Sequence, residues 1–389
     1  MSGNSGFMIQ LGQMMETRRK DLSLHGRPVI GWCCSYVPIE IVESLGLVPY
    51  RVLPLPPVEM GDAYLNPNFC PYVRAVMGES LAGAYPFLSG LIVVNTCDGM
   101  RRLYDGWAHF HGSPFLHLMD LPRITTPEAV EHFREEIRDL AERMSAHFGV
   151  TPSRETTKAC FEASNKTFRL VQQVQQLMAE GRLALPASGM IDLFRAGGVL
   201  QRSQYNLLLE RAIDPCLRRT NRPGIPILLT GAMLENVDIL SMIEAAGGSV
   251  VIHDLCVSGR QSEHPLSLTE DPLTALANHY LSRPPCARMQ ETGRRIEYIL
   301  SLIRRGRVQG VIDYVLKFCD TFLYEVPILK RELDRLGIPM LTIESEYRKG
   351  QGGGVQTRIQ AFMEMLNGLG NPQPQDLQEE RRSEEAPRS

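Results

Sequence analysis

The residues of this chain best suited to chemistry are cysteines set beside aspartates. Cys97-Asp98 and Cys319-Asp320 share one local grammar: each cysteine ends an apolar run, precedes an acidic residue and opens a segment of helical periodicity. Cys70 stands directly before Pro71, and proline is well tolerated in the first turn of a helix. A thiol at a helix N-terminus meets unpaired backbone N–H groups and the positive end of the dipole. Both favour the thiolate and an anionic metal cluster. Three such ligands are one fewer than an iron–sulfur cube usually takes, so one iron would stay open. A plainer reading stands beside this one. Cysteine in an apolar strand is most often a small buried residue, and neither Cys97 nor Cys319 belongs to a CxxC pair. Spacing alone leaves both readings open.

Strands and helices must alternate to position these thiols. Within 308–344 the run Gly310-Val-Ile-Asp-Tyr-Val-Leu-Lys-Phe318 stops at Cys319. A helix follows with Val326, Leu329, Leu333 and Leu336 on one face and Lys330, Arg331, Glu332 and Asp334 on the other. Gly337 closes it, and 338–343 reads as the next strand. Similar signals place strands at 27–35, 47–53, 89–96 and 115–119, with helices after Pro38, Cys70 and Cys97. Residues before Arg27 read as a peripheral helix. From Thr126 the pattern is helical, until a turn-rich stretch at 221–226 opens a second alternating series with strands at 227–231 and 249–254. The fold class is α/β: two Rossmann- or flavodoxin-like parallel-sheet domains joined by a helical connector. The expected bounds are 1–125, 126–222 and 223–369, followed by a polar, disordered tail at 370–389. Ligands of such sheets bind beyond the carboxyl ends of the strands, which is where these cysteines fall.

With 389 residues, 43% hydrophobic and 22% charged, the chain has an ordinary globular composition and room for more than one core. A net charge of −3 gives no footprint for nucleic acid or an anionic membrane, and no apolar run is long enough to span a bilayer. No secretory signal is evident, so a cytoplasmic location is expected and the nine cysteines are read as thiols or metal ligands rather than disulfides.

Other side chains divide between function and structure. Ser35, near the end of the first strand, is placed to contact a substrate or to cap a turn. Glu344 and Glu346 are placed for proton transfer or for solvent. Glu40 and Glu43 read as a solvated helix face, and Asp98 and Asp320 as caps that hold the cysteine loops. His109, His111 and His117 lack metal-ligand spacing. Cys160 and Cys216 sit in helical patterns and read as structural.

Several segments together resemble the 2-hydroxyacyl-CoA dehydratase family, which includes benzoyl-CoA reductase subunits and double-cubane-cluster proteins. They are KFCD at 317–320, PILKRELDRLGIPMLTIE at 327–344, TRIQAFMEML at 357–366, NTCDGMRRLYD at 95–105, FCPYVRAVMG at 69–78 and YVPIEIVESLGLVPYRVL at 36–53. DLCVSGR at 254–260 and DPLTALANHYLSRPPC at 271–286 extend the likeness over most of the chain. The resemblance implies tandem α/β domains holding a 4Fe-4S cluster through Cys70, Cys97 and Cys319. It implies a low-potential electron delivered to an acyl-CoA thioester, a ketyl-type radical and loss of the 2-hydroxyl. It also implies an ATP-dependent iron–sulfur activator protein, and a related second subunit or a homodimer. This chain has no GxxxxGK[ST] phosphate loop of its own. Alternatives within the resemblance are a double-cubane or benzoyl-CoA-reductase-type reductase and a non-catalytic electron relay. Two departures stand out. Gly354 replaces the glutamine expected before Val355, although Thr357-Arg358 is kept and Arg358 is a candidate partner for a CoA phosphate. Ala232 stands where branches with extra cluster ligands carry cysteine, yet Cys34, Cys256 and Cys286 remain available.

Overall fold

The computed structural model describes residues 2–22, 26–54, 61–214, 224–234, 238–258, 260, 264–347 and 352–369. Two four-stranded sheets organise it, and every pairing is parallel. The first comprises β1 (Val29–Trp32), β2 (Val48–Arg51), β3 (Leu88–Val94) and β4 (Phe115–Met119) in the order β2-β1-β3-β4. The second comprises β5 (Ile225–Gly231), β6 (Gly248–Asp254), β7 (Gly310–Leu316) and β8 (Met340–Ser345) in the order β6-β5-β7-β8. The α/β reading with two parallel-sheet units therefore holds, and both units wind in one order. In each sheet the winding reverses between the first and third strands, which opens a crevice at their carboxyl ends.

Parallel strands covered on both faces must be apolar throughout. β7 is buried at every residue and departs from this rule at Asp313, whereas edge strand β8 is mostly half-buried. The helices are α1 (Ser2–Leu22), α2 (Ile39–Ser44), α3 (Pro71–Leu81), α4 (Asp98–Gly106), α5 (Pro127–Phe148), α6 (Arg154–Ala179) and α7 (Ala187–Val199). They continue with α8 (Arg202–Ala212), α9 (Asp238–Ala245), α10 (Pro272–Leu281), α11 (Thr292–Gly306), α12 (Asp320–Arg335) and α13 (Gly352–Gly368). Side-chain caps fix several starts: Thr126 accepts from the Ala129 N–H, Ser153 and Thr156 form a capping box, and Asp271 accepts from the Thr274 N–H.

Three features differ from the sequence reading. Helix α1 is not peripheral, because Phe7 and Leu11 are buried in the core that also holds Met190 and Ile191 of α7. Strand β1 stops at Trp32, so Cys33, Cys34 and Ser35 lie in the loop beyond it. Helix α4 runs on into a π-helical turn at Trp107–His111, which the 3.6-residue period did not signal. A further feature concerns the path of the chain. Leu266, Leu276, Tyr280 and Met289 follow two strands of the second sheet, yet they share a core with Ile30, Ile92 and Val94 of the first sheet and Phe133 and Ile137 of α5. Cys216, the tail at 370–389 and residues 221–223 of the expected boundary lie outside the described residues.

Candidate functional site

The carboxyl ends of the central strands of both sheets meet over one cavity. It is lined by Cys33, Cys34, Cys70, Cys97, Cys256, Cys286 and Cys319, together with Ser35, Arg51, Tyr72, Arg260 and Arg288. Local backbone aims the thiols. Cys97 lies three residues beyond β3 and is the N-cap of α4, while Cys319 lies three residues beyond β7 and is the N-cap of α12. Phe318, with φ of 60°, adopts the left-handed conformation that turns the chain sharply before Cys319. Cys70 is the N-cap of α3, with Pro71 following as expected. At the end of β5, just before the lining residue Ala232, Gly231 has φ of 127°, and a Cβ there would lie 2.0 Å from the Tyr314 carbonyl oxygen, so only glycine lets β5 and β7 approach.

Electrostatics bind these thiols into one group. Cys70 donates a hydrogen bond to Cys319, which holds the Cys319 thiol below its ordinary range and pushes Cys70 above its own. Burial pushes Cys33 up to about 12 and Cys34 up to about 11. Burial works against the charge of Arg288, but Cys97, Cys319, Cys286 and Cys256 outweigh it and hold the guanidinium protonated. Arg288 Nε has no hydrogen-bond partner among the described residues. A positive charge thus sits among polarizable sulfurs.

Behind the cavity the second sheet carries a buried ion network. Asp254, fully buried, pairs with Arg260 at 2.8 Å and Arg295 at 2.5 Å, and Thr230 donates to it at 2.6 Å. Arg295 also pairs with Glu325 at 3.1 Å. Arg260 Nη1 lies 3.7 Å from Cys256 Sγ, so the network reaches the cavity wall. Near it, burial lifts the Asp313 carboxyl to about 8.

Of the residues singled out from sequence, Cys70, Cys97, Cys319 and Ser35 all line the cavity. Cys70 and Cys319 touch, and the Ser35 carbonyl accepts from Arg283 at 2.6 Å. No three His, Cys, Asp or Glu side chains stand at metal-ligand spacing among the described residues. Glu344 is exposed on β8 and is not among the lining residues; Glu346 pairs with Lys317. Glu40 and Glu43 are not a solvated face. Glu40 is 1% exposed and accepts from Ser164 and Tyr280, each at 2.8 Å, because α6 and α10 cover this side of α2. Asp98 is exposed and faces Arg102 at 3.6 Å instead of capping its helix. Arg358 donates to the Thr342 carbonyl at 2.6 Å, and Cys160 is half-buried in α6. His111 lies 3.1 Å from Ser113, while burial holds His117 below its ordinary range. The sequence reading missed Arg51, Arg260 and Arg288. For Arg51 a signal existed, since a charge inside a parallel strand is costly without a purpose.

A family model described as 2-hydroxyglutaryl-CoA dehydratase, D-component, matches residues 34–366. The chain belongs to this family. Within it, the chain is 26% identical over 366 residues to YjiM of Escherichia coli (strain K12), a protein named as a dehydratase subunit, with 89% of this chain and 93% of that one covered. It is 20% identical to the (R)-phenyllactyl-CoA dehydratase beta subunit of Clostridium sporogenes, covering 94% and 100% respectively. It is 22% identical to a benzoyl-CoA reductase subunit of Thauera aromatica, covering 87% and 91%. The matched span of the D-component family contains every thiol of the cavity except Cys33. The donor set suits a sulfur-ligated cluster: soft thiols around one space, with the Arg288 guanidinium among them to offset negative charge. No helix among the described residues is long and apolar enough to cross a membrane.

Proposed function

We propose that this chain is the iron–sulfur subunit of a 2-hydroxyacyl-CoA dehydratase-type enzyme. The observation that carries the reading is the convergence of Cys70, Cys97 and Cys319, from both sheets, on one buried cavity within the span matched by the family. These three would hold a 4Fe-4S cluster. Once bound, the cluster would supply a low-potential electron, received from a separate ATP-hydrolysing activator, and so enable water loss from a 2-hydroxyacyl-CoA through a ketyl radical.

The chain's own residues do the rest. Arg288 sets a positive charge against the sulfurs and so favours their ionised, ligand-ready form. Tyr72 donates to the carbonyls of Cys33 at 3.1 Å and Val52 at 3.0 Å, tying helix α3 to the first sheet and fixing the Cys70 loop. Phe322 and Met100 close the cavity with apolar surface, which excludes water. Ser35 lines the same cavity and would contact the substrate there. Relatives named as beta subunits support a partner chain, either a related subunit or a second copy, and the same reading puts the protein in the cytoplasm.

A second reading has its own support. Cys34, Cys256 and Cys286 line the same cavity, as a larger, double-cubane-type cluster of a reductase would require, although Ala232 stands there too. Iron analysis of anaerobically purified protein separates the two, with about four irons per chain for a single cube and about eight for the larger cluster. Under the first reading, Cys97→Ala and Cys319→Ala each remove the brown chromophore and most of the iron while the chain stays folded. Full iron in both variants would falsify the ligand assignment. Water loss from a 2-hydroxyacyl-CoA only in the presence of activator, ATP and the partner subunit tests the activity.

A further inference from the structure

We propose that a second chamber, opening beside the cysteine cavity, is a binding site for a carboxylate, gripped by Arg51 and Arg283. The chamber shares Ser35, Arg51, Cys256 and Arg260 with the cysteine cavity, so the two adjoin. Four arginines line it, and their partners set them apart. Arg202 pairs with Glu43 at 2.7 Å and Glu40 at 3.4 Å, and Arg260 pairs with Asp254 at 2.8 Å. Arg51 and Arg283 instead donate to backbone carbonyls, those of Cys256 and Ser35, each at 2.6 Å. Neither has a carboxylate within ion-pair distance among the described residues. Glu40 does feel the charge of Arg283, but its oxygens are engaged by Arg202, Ser164 and Tyr280.

Unpartnered polar atoms belong to residues that line the same chamber. Arg51 Nε, Arg283 Nε, Trp32 Nε1 and Ser258 Oγ have no hydrogen-bond partner among the described residues, and Arg51, Trp32 and Ser258 are 7%, 6% and 4% exposed. Buried donors and uncompensated charges are costly, and in native proteins they concentrate where a ligand completes them. The two guanidinium groups are also held in place. Arg51 lies 4.8 Å over the Trp32 ring and Arg283 lies 3.8 Å over Tyr280, so each plane is fixed against an aromatic face. Helix α7 fixes the stem of Arg51 as well, since a Cβ on Gly198 would lie 2.7 Å from Arg51 Cβ. A rigid planar fork matches a carboxylate. Glu40 and Glu43 on the same wall penalise a doubly charged phosphate, so a singly charged carboxylate is the better fit.

The ligand class is a short-chain carboxylate. Resting on the proposed function, the clamp would hold the far end of an acyl group whose reacting end faces the cysteines. Calorimetric titration of the full chain with glutaramate and with valeramide isolates the carboxylate, because the two share one carbon chain. Glutaramate should bind at least tenfold more tightly. Arg51→Met and Arg283→Met should each remove a tenfold or greater part of that preference and leave valeramide unaffected. Ser258→Ala serves if the arginine variants unfold: it should weaken glutaramate several-fold at an unchanged unfolding temperature, which a purely structural serine would not do. Equal affinity for the two amides, or no binding of either, overturns the clamp. Tighter binding of inorganic phosphate than of glutaramate overturns the carboxylate assignment. None of these titrations needs iron or activator, so a failed clamp leaves the proposed function standing, and a missing cluster leaves the clamp standing.

Discussion

The two sheets share a strand order, and one pair of corresponding strands delivers like chemistry to the site while another pair delivers opposite charges. The third strand of each, β3 and β7, releases a cysteine three residues past its end to cap a helix that begins with aspartate. The outer strands β2 and β6 diverge. β2 ends in Arg51, which donates to the Cys256 carbonyl, whereas β6 ends in Asp254, locked between Arg260 and Arg295. One half of the site is internally neutralised and rigid, while the other keeps a cation in reserve. Repeated topology therefore fixes where the loops meet, and single side chains at strand ends decide what each half contributes there.

The contrast can be broken most directly at its charges. Arg295→Met takes the ion-pair partner from buried Glu325 and leaves Asp254 to Arg260 alone, and should cost about 3–5 kcal/mol in urea unfolding. Arg51→Met strands only a carbonyl and should cost about 1–2 kcal/mol. Equal losses would mean that the halves are not built differently. Asp313 sharpens the point through pH. Its buried carboxyl titrates near 8 in the folded chain but near its ordinary value of 3.8 when unfolded. The stability it contributes is therefore full below about pH 4 and is lost as pH rises towards 8, at about 1.4 kcal/mol per unit. Asp313→Asn should raise the unfolding temperature little at pH 5 and clearly at pH 8. A gain of one size at both pH values would show the group already ionised in the fold. The smallest effect tests the shared part of the design. Asp98→Ala and Asp320→Ala each remove an acid from a first helical turn and should cost similar amounts, about 0.3–1 kcal/mol, in thermal unfolding.

Much of this was legible in the sequence because it depends on local pattern. Apolar runs broken by glycine and proline give the strands, and the Cys-Asp pairs give the helix starts. What escaped depends on contacts between distant residues. Glu40 reads as solvent-facing until Ser164 and Tyr280, 124 and 240 positions later, close over it. Arg288 lies in a stretch without periodicity, so only the folded chain places it among thiols. The strand charges at Arg51, Asp254 and Asp313 were readable signals, since a parallel strand admits a buried charge only where something distant answers it.

The return of the segment bearing Leu276 and Tyr280 to the first sheet bears on how the polypeptide is made. A ribosome must have threaded nearly three-quarters of the message before Met289 can seal the core around Ile30 and Phe133. Until then the nascent first half exposes an oily face, which makes it a natural client for holding chaperones and sets a minimum length for any fragment that is to fold.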